Sequence, residues 1–406
     1  LLGYPDINLP RCQQWQNVTA TNENFSSWAA NAITNNLTVN ADSPITFSAC
    51  LVVKDDNLIL PEWLAYHYEF MPLRRLIILV DSNSVTSPQH IIDKHQRHTD
   101  LNITTWTDQD ILHKATRRAH KKYNFNPNAT AEEKHRLFID IKQPLFYKLC
   151  AKKLQEEVSY DSSSVWTMFV DTDEYIAFNN FQDTSQYDDS AHDNFRQLNL
   201  THRYPETVAS FLQHNQDRLE QNLNYSYCMY LPRVQHAAIE VNPTFPHGFH
   251  EKHFSTVQYP VHASAADSKL LGKTLVDVSK INTNVIGNPH RINLGECYGA
   301  EQGRFADPSK ALFRVHHHLG SVSDFLSRPG DPSRSLKIFQ KRNATGAKGW
   351  SSSNNWHHDY STRSMHWWLI SFFNRFGSDK AMALTTKLRE QAIKENAYQA
   401  RTRTSK

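Results

Sequence analysis

Glycine is scarce, at 12 of 406 residues, and neither a GxGxxG run nor a GxxxxGK[ST] run occurs. That excludes the glycine loops that cradle phosphates in dinucleotide-binding and P-loop enzymes. No apolar run approaches the roughly 20 residues needed to span a bilayer; the run Leu76 to Val80 is only strand-sized. The formal charge is +3 and the 22 histidines are mostly neutral at pH 7, so no strong field would draw nucleic acid or an anionic membrane. The five cysteines show no CxxC spacing, which argues against a zinc ribbon or a thioredoxin-like site. There is no internal repeat, heptad array or low-complexity tract.

What remains is a globular composition, 39% hydrophobic and 21% charged, long enough for one large core or two fused ones. Asn-x-Ser/Thr triplets at Asn17, Asn24, Asn36, Asn102, Asn128, Asn199, Asn224 and Asn343 point to the secretory pathway. The chain opens on Leu1 rather than Met, so the expectation is a Golgi-lumenal protein whose type II anchor has been removed, with secretion as the alternative. Any membrane association would run through that anchor. Five cysteines permit two disulfides and one free thiol, and Cys228 with Cys297 is the first pair to expect because both lie in the polar, turn-rich half.

Alternating buried strands and amphipathic helices dominate up to about residue 180. The run ending Cys50-Leu51-Val52-Val53 reads as a strand covered on both faces. A helix follows, with Pro61 in its first turn and Trp63, Leu64, His67, Tyr68 and Met71 at helical spacing. Arg75 to Val80 is the next strand, Asn102 to Trp106 a third, and Val165 to Val170 a fourth, apolar on both faces. Helices are expected over 110–123 and 138–154, Pro144 either kinking the second or marking its true start. This is an α/β pattern with a mostly parallel sheet. The expected divisions are 1–40, a stem or cap with a helix over 24–33; 41–235, an α/β half; 236–330, a mixed half; and 331–406, a C-terminal helical extension, the second and third becoming nucleotide-sugar-binding and acceptor-side under the family resemblance given below.

The chemistry centres on Asp171-Thr172-Asp173-Glu174-Tyr175 at the end of the fourth strand. Residues two apart on extended backbone point to one side, so Asp171 and Asp173 could share a hard divalent cation. An EF-hand reading fails, because its sixth position is Ile176 rather than Gly and its twelfth is Gln182 rather than Glu. An open sheet binds ligands beyond the carboxyl ends of its strands, and a cation there suits a diphosphate. Trp63 and His67, at i and i+4, read as helix packing rather than as ligands. His357 and His358 fit either a surface turn or a wall of the acceptor site.

In its ordered motifs the chain resembles the GT-A glycosyltransferases of family 92 and related family 2-like domains, from about Phe47 to about Phe325. The resemblance rests on Lys54-Asp55-Asp56; Glu62-Trp63-Leu64-Ala65-Tyr66-His67; Asp81-Ser82-Asn83-Ser84; Gln143 before Phe146-Tyr147; Trp166 through Tyr175; and His316-His317-His318-Leu319-Gly320-Ser321. It implies a GT-A fold with a mixed acceptor half and C-terminal helices. It also implies that Lys54, Asp55, Asp81, Ser84 and Gln143 line the nucleotide pocket, that Asp173 ligates the metal, and that Asp171 bridges to metal or ribose. His316 matches the family's histidine as a third ligand, although alternation puts His316 and His318 on one face and His317 on the other. The ion is Mn2+ or Mg2+, imidazole favouring manganese.

The implied activity is an inverting transfer of a sugar, galactose among the candidates, from a UDP-linked donor to a glycan or glycoconjugate hydroxyl. Glu240 and Asp359 are the candidates for the base that deprotonates the acceptor. Departures from the family pattern fall at Asp55-Asp56, Thr86 and His317. Two rivals stand beside this reading: a catalytically silent carbohydrate-binding protein on the same fold, and a metal-dependent nucleotidyl- or phosphotransferase, which the missing glycine loop disfavours.

Overall fold

The computed structural model describes residues 45–112, 141–158, 165–179, 206–222, 227–236, 254–258, 261–263, 272–287, 289–290, 311–318, 356–358 and 362–404, with isolated positions 198, 200, 297, 300, 301, 305 and 306. The expected stem or cap, the helix over 24–33 and most of the helix over 110–123 lie outside these residues.

β1 (Thr46–Val53), β2 (Leu73–Val80), β3 (Asn102–Trp106) and β4 (Val165–Met168) run parallel, β9 (Lys273–Asp277) pairs antiparallel with β4, and β6 (Cys228–Leu231) pairs antiparallel with β9 and so runs in the direction of β1 to β4. The sheet is mixed and six-stranded, in the order β3-β2-β1-β4-β9-β6. Its strands alternate between two cores. Leu51, Val53, Leu76 and Ile78 face one, while Cys50, Val52, Ile77 and Leu79 face the other. This is the near-continuous apolar strand that the sequence pattern calls for when helices cover both sides.

On the first face lie α1 (Leu60–Phe70), α2 (Gln89–His98) and the C-terminal helices α8 (Thr362–Phe376), α9 (Ser378–Leu384) and α10 (Thr386–Thr404). Pro61 sits in the first turn of α1, where its missing N–H costs nothing. Glu69 of α1 is buried and ion-paired to Arg375 of α8 at 2.8 Å, which fixes the C-terminal helices against the core. On the second face is α4 (Gln143–Val158), where Pro144 sits at the junction between a π-helical turn at residues 141–142 and the regular helix. A disulfide, Cys50–Cys150, ties α4 to β1, and the expected pair Cys228–Cys297 forms a second one. Such bonds suit an oxidising compartment, lumenal or extracellular. No helix among the described residues is long and apolar enough to cross a membrane.

The second sheet has the order β13-β8-β7-β12-β5, from β13 (Trp356–His358), β8 (Val261–Ala263), β7 (Arg233–His236), β12 (Phe313–His318) and β5 (Glu174–Phe178). His357 and His358 thus belong to a strand rather than a surface turn. Between Met168 and Glu174 the chain leaves one sheet and enters the other, and Asp171-Thr172-Asp173 occupies that passage.

Candidate functional site

Parallel pairing in register brings the carboxyl ends of β1 to β4 to one edge: Val53 pairs with Val80, Leu79 with Trp106, and Ala49 with Met168. Lys54, Asp81, Asp108 and Asp171 each follow one of these strands closely, so the topology delivers four charged residues to the place where open α/β sheets bind ligands.

Toward β2 and β3, Asp81 is buried and faces Lys54 Nζ at 3.7 Å and Lys142 Nζ at 3.9 Å. Its Oδ1 accepts from the backbone N and side-chain Nδ2 of Asn83, both at 3.0 Å. Lys142 also pairs closely with Asp108, which accepts from Ser82 Oγ at 2.5 Å. Lys142 and Asp108 are functional candidates that the sequence reading passed over. The signal for Lys142 was its place beside Gln143, two residues before Pro144.

Gln143 itself donates to Tyr147 Oη at 3.4 Å, and Ser84 closes the turn after β2 through its backbone N–H to the Asp81 carbonyl at 2.9 Å. Asp55 is committed elsewhere. Its backbone is left-handed, with φ 56°, and its Oδ1 accepts from Val85 N at 2.7 Å, Thr86 N at 2.9 Å and Thr86 Oγ1 at 3.0 Å. Instead of lining a pocket through that oxygen, it clamps the loop after β2. Burial raises its pKa, and the three hydrogen bonds only partly oppose this.

Glu62 and His67, quoted from the same motif, are also structural. Glu62 accepts from Ser255 N at 2.7 Å and Thr256 N at 2.8 Å, capping the short helix α7 (Ser255–Gln258). His67 bonds the Trp63 carbonyl at 2.9 Å and stacks on Tyr175, the packing role its spacing suggested.

At the passage between the sheets, Asp171 N–H donates to Glu174 Oε2 at 2.8 Å and Glu174 N–H to the Asp171 carbonyl at 3.1 Å, closing a tight turn that presents the aspartates. Lys273, with no exposed side-chain surface, puts Nζ 2.7 Å from Asp171 Oδ2 and 3.0 Å from Glu174 Oε2. Arg233 Nε stands 3.1 Å from Glu174 Oε1. Burial works to raise the Asp171 pKa, but the Lys273 ammonium outweighs it and the net shift is downward. Burial likewise works to lower the Lys273 pKa, and the Asp171 and Glu174 carboxylates reverse it. Asp171 and Glu174 are thus both held by fixed cations, and Asp173 brings a third carboxylate to the turn.

His317, rather than His316, faces that charge. Its Nε2 lies 3.4 Å from Asp173 Oδ2, and Arg233 Nη2 lies 2.8 Å from its ring nitrogens. Burial first, then Arg233, lowers the His317 pKa, so the ring is neutral at pH 7 and can offer a lone pair. The register explains the exchange: His317 pairs with Glu174 and His316 with Tyr175, so alternation turns His316 to the opposite face. There His316 lies among His236, His318 and Arg314, so the histidine set beside Asp173 is His317 and not, as expected, His316. Asp173 also anchors the strand, its carbonyl accepting from His318 N–H at 2.8 Å. Glu240 and Asp359 lie outside the described residues.

One carboxylate and one neutral imidazole on a sheet edge fit Mn2+ better than Mg2+ by donor chemistry, and Asp171 could join through Oδ1, since Lys273 holds its Oδ2. Comparison with known protein families finds no family whose model matches this chain, and comparison with curated proteins finds no match.

Proposed function

We propose that the chain is a metal-dependent glycosyltransferase of GT-A type, acting in the lumen of the secretory pathway, in the Golgi. It would take a sugar from a UDP-linked donor and pass it, with inversion, to a glycan or glycoconjugate hydroxyl. The observation that carries this reading is the pairing of Asp173 with His317 at 3.4 Å, in the turn where β4 leaves the six-stranded sheet. The strand order β3-β2-β1-β4-β9-β6 supports the GT-A assignment, because its parallel half offers one continuous carboxyl edge of the kind at which open α/β sheets bind nucleotides.

In this reading Asp173 and His317 hold Mn2+, which when bound stabilises the departing nucleoside diphosphate as a Lewis acid. Lys54 and Lys142 flank Asp81 and fix where a nucleoside can bind, while Asp108 holds Lys142 in place. Lys273 and Arg233 supply fixed positive charge beside the diphosphate position, already oriented by Glu174, so no side chain has to reorganise as charge develops.

A panel of nucleotide sugars offered with Mn2+ should give release of nucleoside diphosphate, and Asp173→Asn should abolish it. Full activity in chelator or in that variant would overturn the metal mechanism. The Asp171–Lys273 ion pair favours one rival, a carbohydrate-binding protein on this fold that does not turn over. Saturable glycan binding with no diphosphate release from any donor would support that rival.

A further inference from the structure

His316 and His318 alternate on β12, and the parallel register sets His318 directly beside His236 of β7. The three imidazoles are buried, at 0%, 3% and 0% exposure respectively. Ring centroids are 4.4 Å apart for His236 and His316 and 4.3 Å apart for His236 and His318. One nitrogen from each ring can be chosen so that all three lie within 4.8 Å of one another. The register continues the row: His262 of β8 pairs with His236, and His357 of β13 pairs with His262. Four adjacent strands therefore carry a histidine at paired positions, in a sheet whose neighbouring row at Val315 and Phe313 is apolar.

We propose that His236, His316 and His318 form a second metal site, taking a zinc-class transition ion that clamps β7 to β12. The donor set is all imidazole, which selects zinc, cobalt, nickel or copper over the hard ions that carboxylates prefer. Tetrahedral Zn–N bonds of about 2.0–2.1 Å set donor nitrogens roughly 3.3 Å apart, so the rings must close by about 1.5 Å at most. Neutral imidazoles satisfy the ion without adding a buried charge of their own.

Arg314 controls access. Its Nε–H donates to His316 Nε2 at 2.7 Å, and the guanidinium is fully buried. Coordination through Nε2 needs the lone pair that Arg314 now holds. Coordination through Nδ1 needs the ring proton on Nε2, which also breaks that bond. Either way the ion displaces Arg314, so in the metal-free protein the guanidinium is a monovalent stand-in. The site would have a structural role in positioning the catalytic face, because His317 lies between His316 and His318 on the same strand and points the other way to Asp173. The proposal does not depend on the glycosyltransferase reading.

The test uses the whole chain, stripped with chelator, dialysed and titrated with Zn2+ alone, then with Co2+ to read geometry from its visible absorption. Wild type and Asp173→Asn should share one tight equivalent with the same affinity and a raised unfolding temperature, whatever further ion the Asp173–His317 pair adds in wild type. His236→Gln and His318→Gln should each weaken uptake by more than about a hundredfold, beyond what loss of an outer-shell partner costs. Arg314→Met should tighten it by removing the competitor, and circular dichroism reports whether each variant is folded. If a histidine variant does not fold, the Arg314→Met result decides. Absence of uptake by wild type, loss of it in Asp173→Asn alone, or no tightening in folded Arg314→Met would overturn the proposal.

Discussion

Lys273 Nζ lies 2.7 Å from Asp171 Oδ2, so a lysine competes with any cation for one of the two oxygens of that carboxylate. Replacing Lys273 by Gln is expected to tighten Mn2+ binding several-fold, measured by the loss of free-ion paramagnetic resonance signal. It should also cost about 3–5 kcal/mol of stability, because buried Glu174 loses one of its two cationic partners. Unchanged Mn2+ affinity in the folded variant would remove Asp171 from the cation site.

Asp55 gives a cleaner separation of structure from binding. Asp55→Ala removes an acceptor of three hydrogen bonds and puts a less tolerant residue at φ 56°, so a loss of about 2–4 kcal/mol is expected in urea unfolding. Asp55→Asn keeps Oδ1 and the backbone tolerance, and should cost much less while leaving nucleotide affinity intact. Equal losses in the two variants would contradict the clamp.

Two buried histidines make stability depend on pH. Burial lowers the pKa of His67 to about 3 and that of His95, which bonds the Leu384 carbonyl, to about 4. The unfolded chain takes up these protons near pH 6.5 and the folded chain does not, so stability is full above that value and falls as pH drops below it. Each should remove about 2 kcal/mol between pH 7 and pH 5. Urea midpoints at pH 7, 6 and 5 measure the slope, and His95→Gln should flatten it. A slope that His95→Gln leaves unaltered would count against the assignment.

The parallel half of the fold was legible because its strands must be apolar on both faces: the runs ending at Val53, Val80 and Val170 announce themselves. The aspartate turn followed from its place at the end of such a run. What sequence could not supply was long-range pairing. Lys273 and Arg233 reach the turn from strands more than fifty residues downstream, and only the head of β9, a lysine leading into Thr-Leu-Val, hinted at a charge entering the sheet. Alternation correctly separated His317 from His316 and His318. Which of those faces meets Asp173 is set by the register of β12 on β5, and a slip of one residue would have reversed the answer.

Asn102 opens β3 and is exposed, at what is, among the described residues, the outer edge of the six-stranded sheet. An unpaired strand edge is a template for another chain, and nothing discourages such pairing more than bulk that cannot be accommodated between strands. The triplet Asn102-Ile103-Thr104 puts a glycan acceptor on that rim. Sugar attached there would act as a steric guard on the sheet, keeping crowded copies of the protein from adding themselves strand to strand.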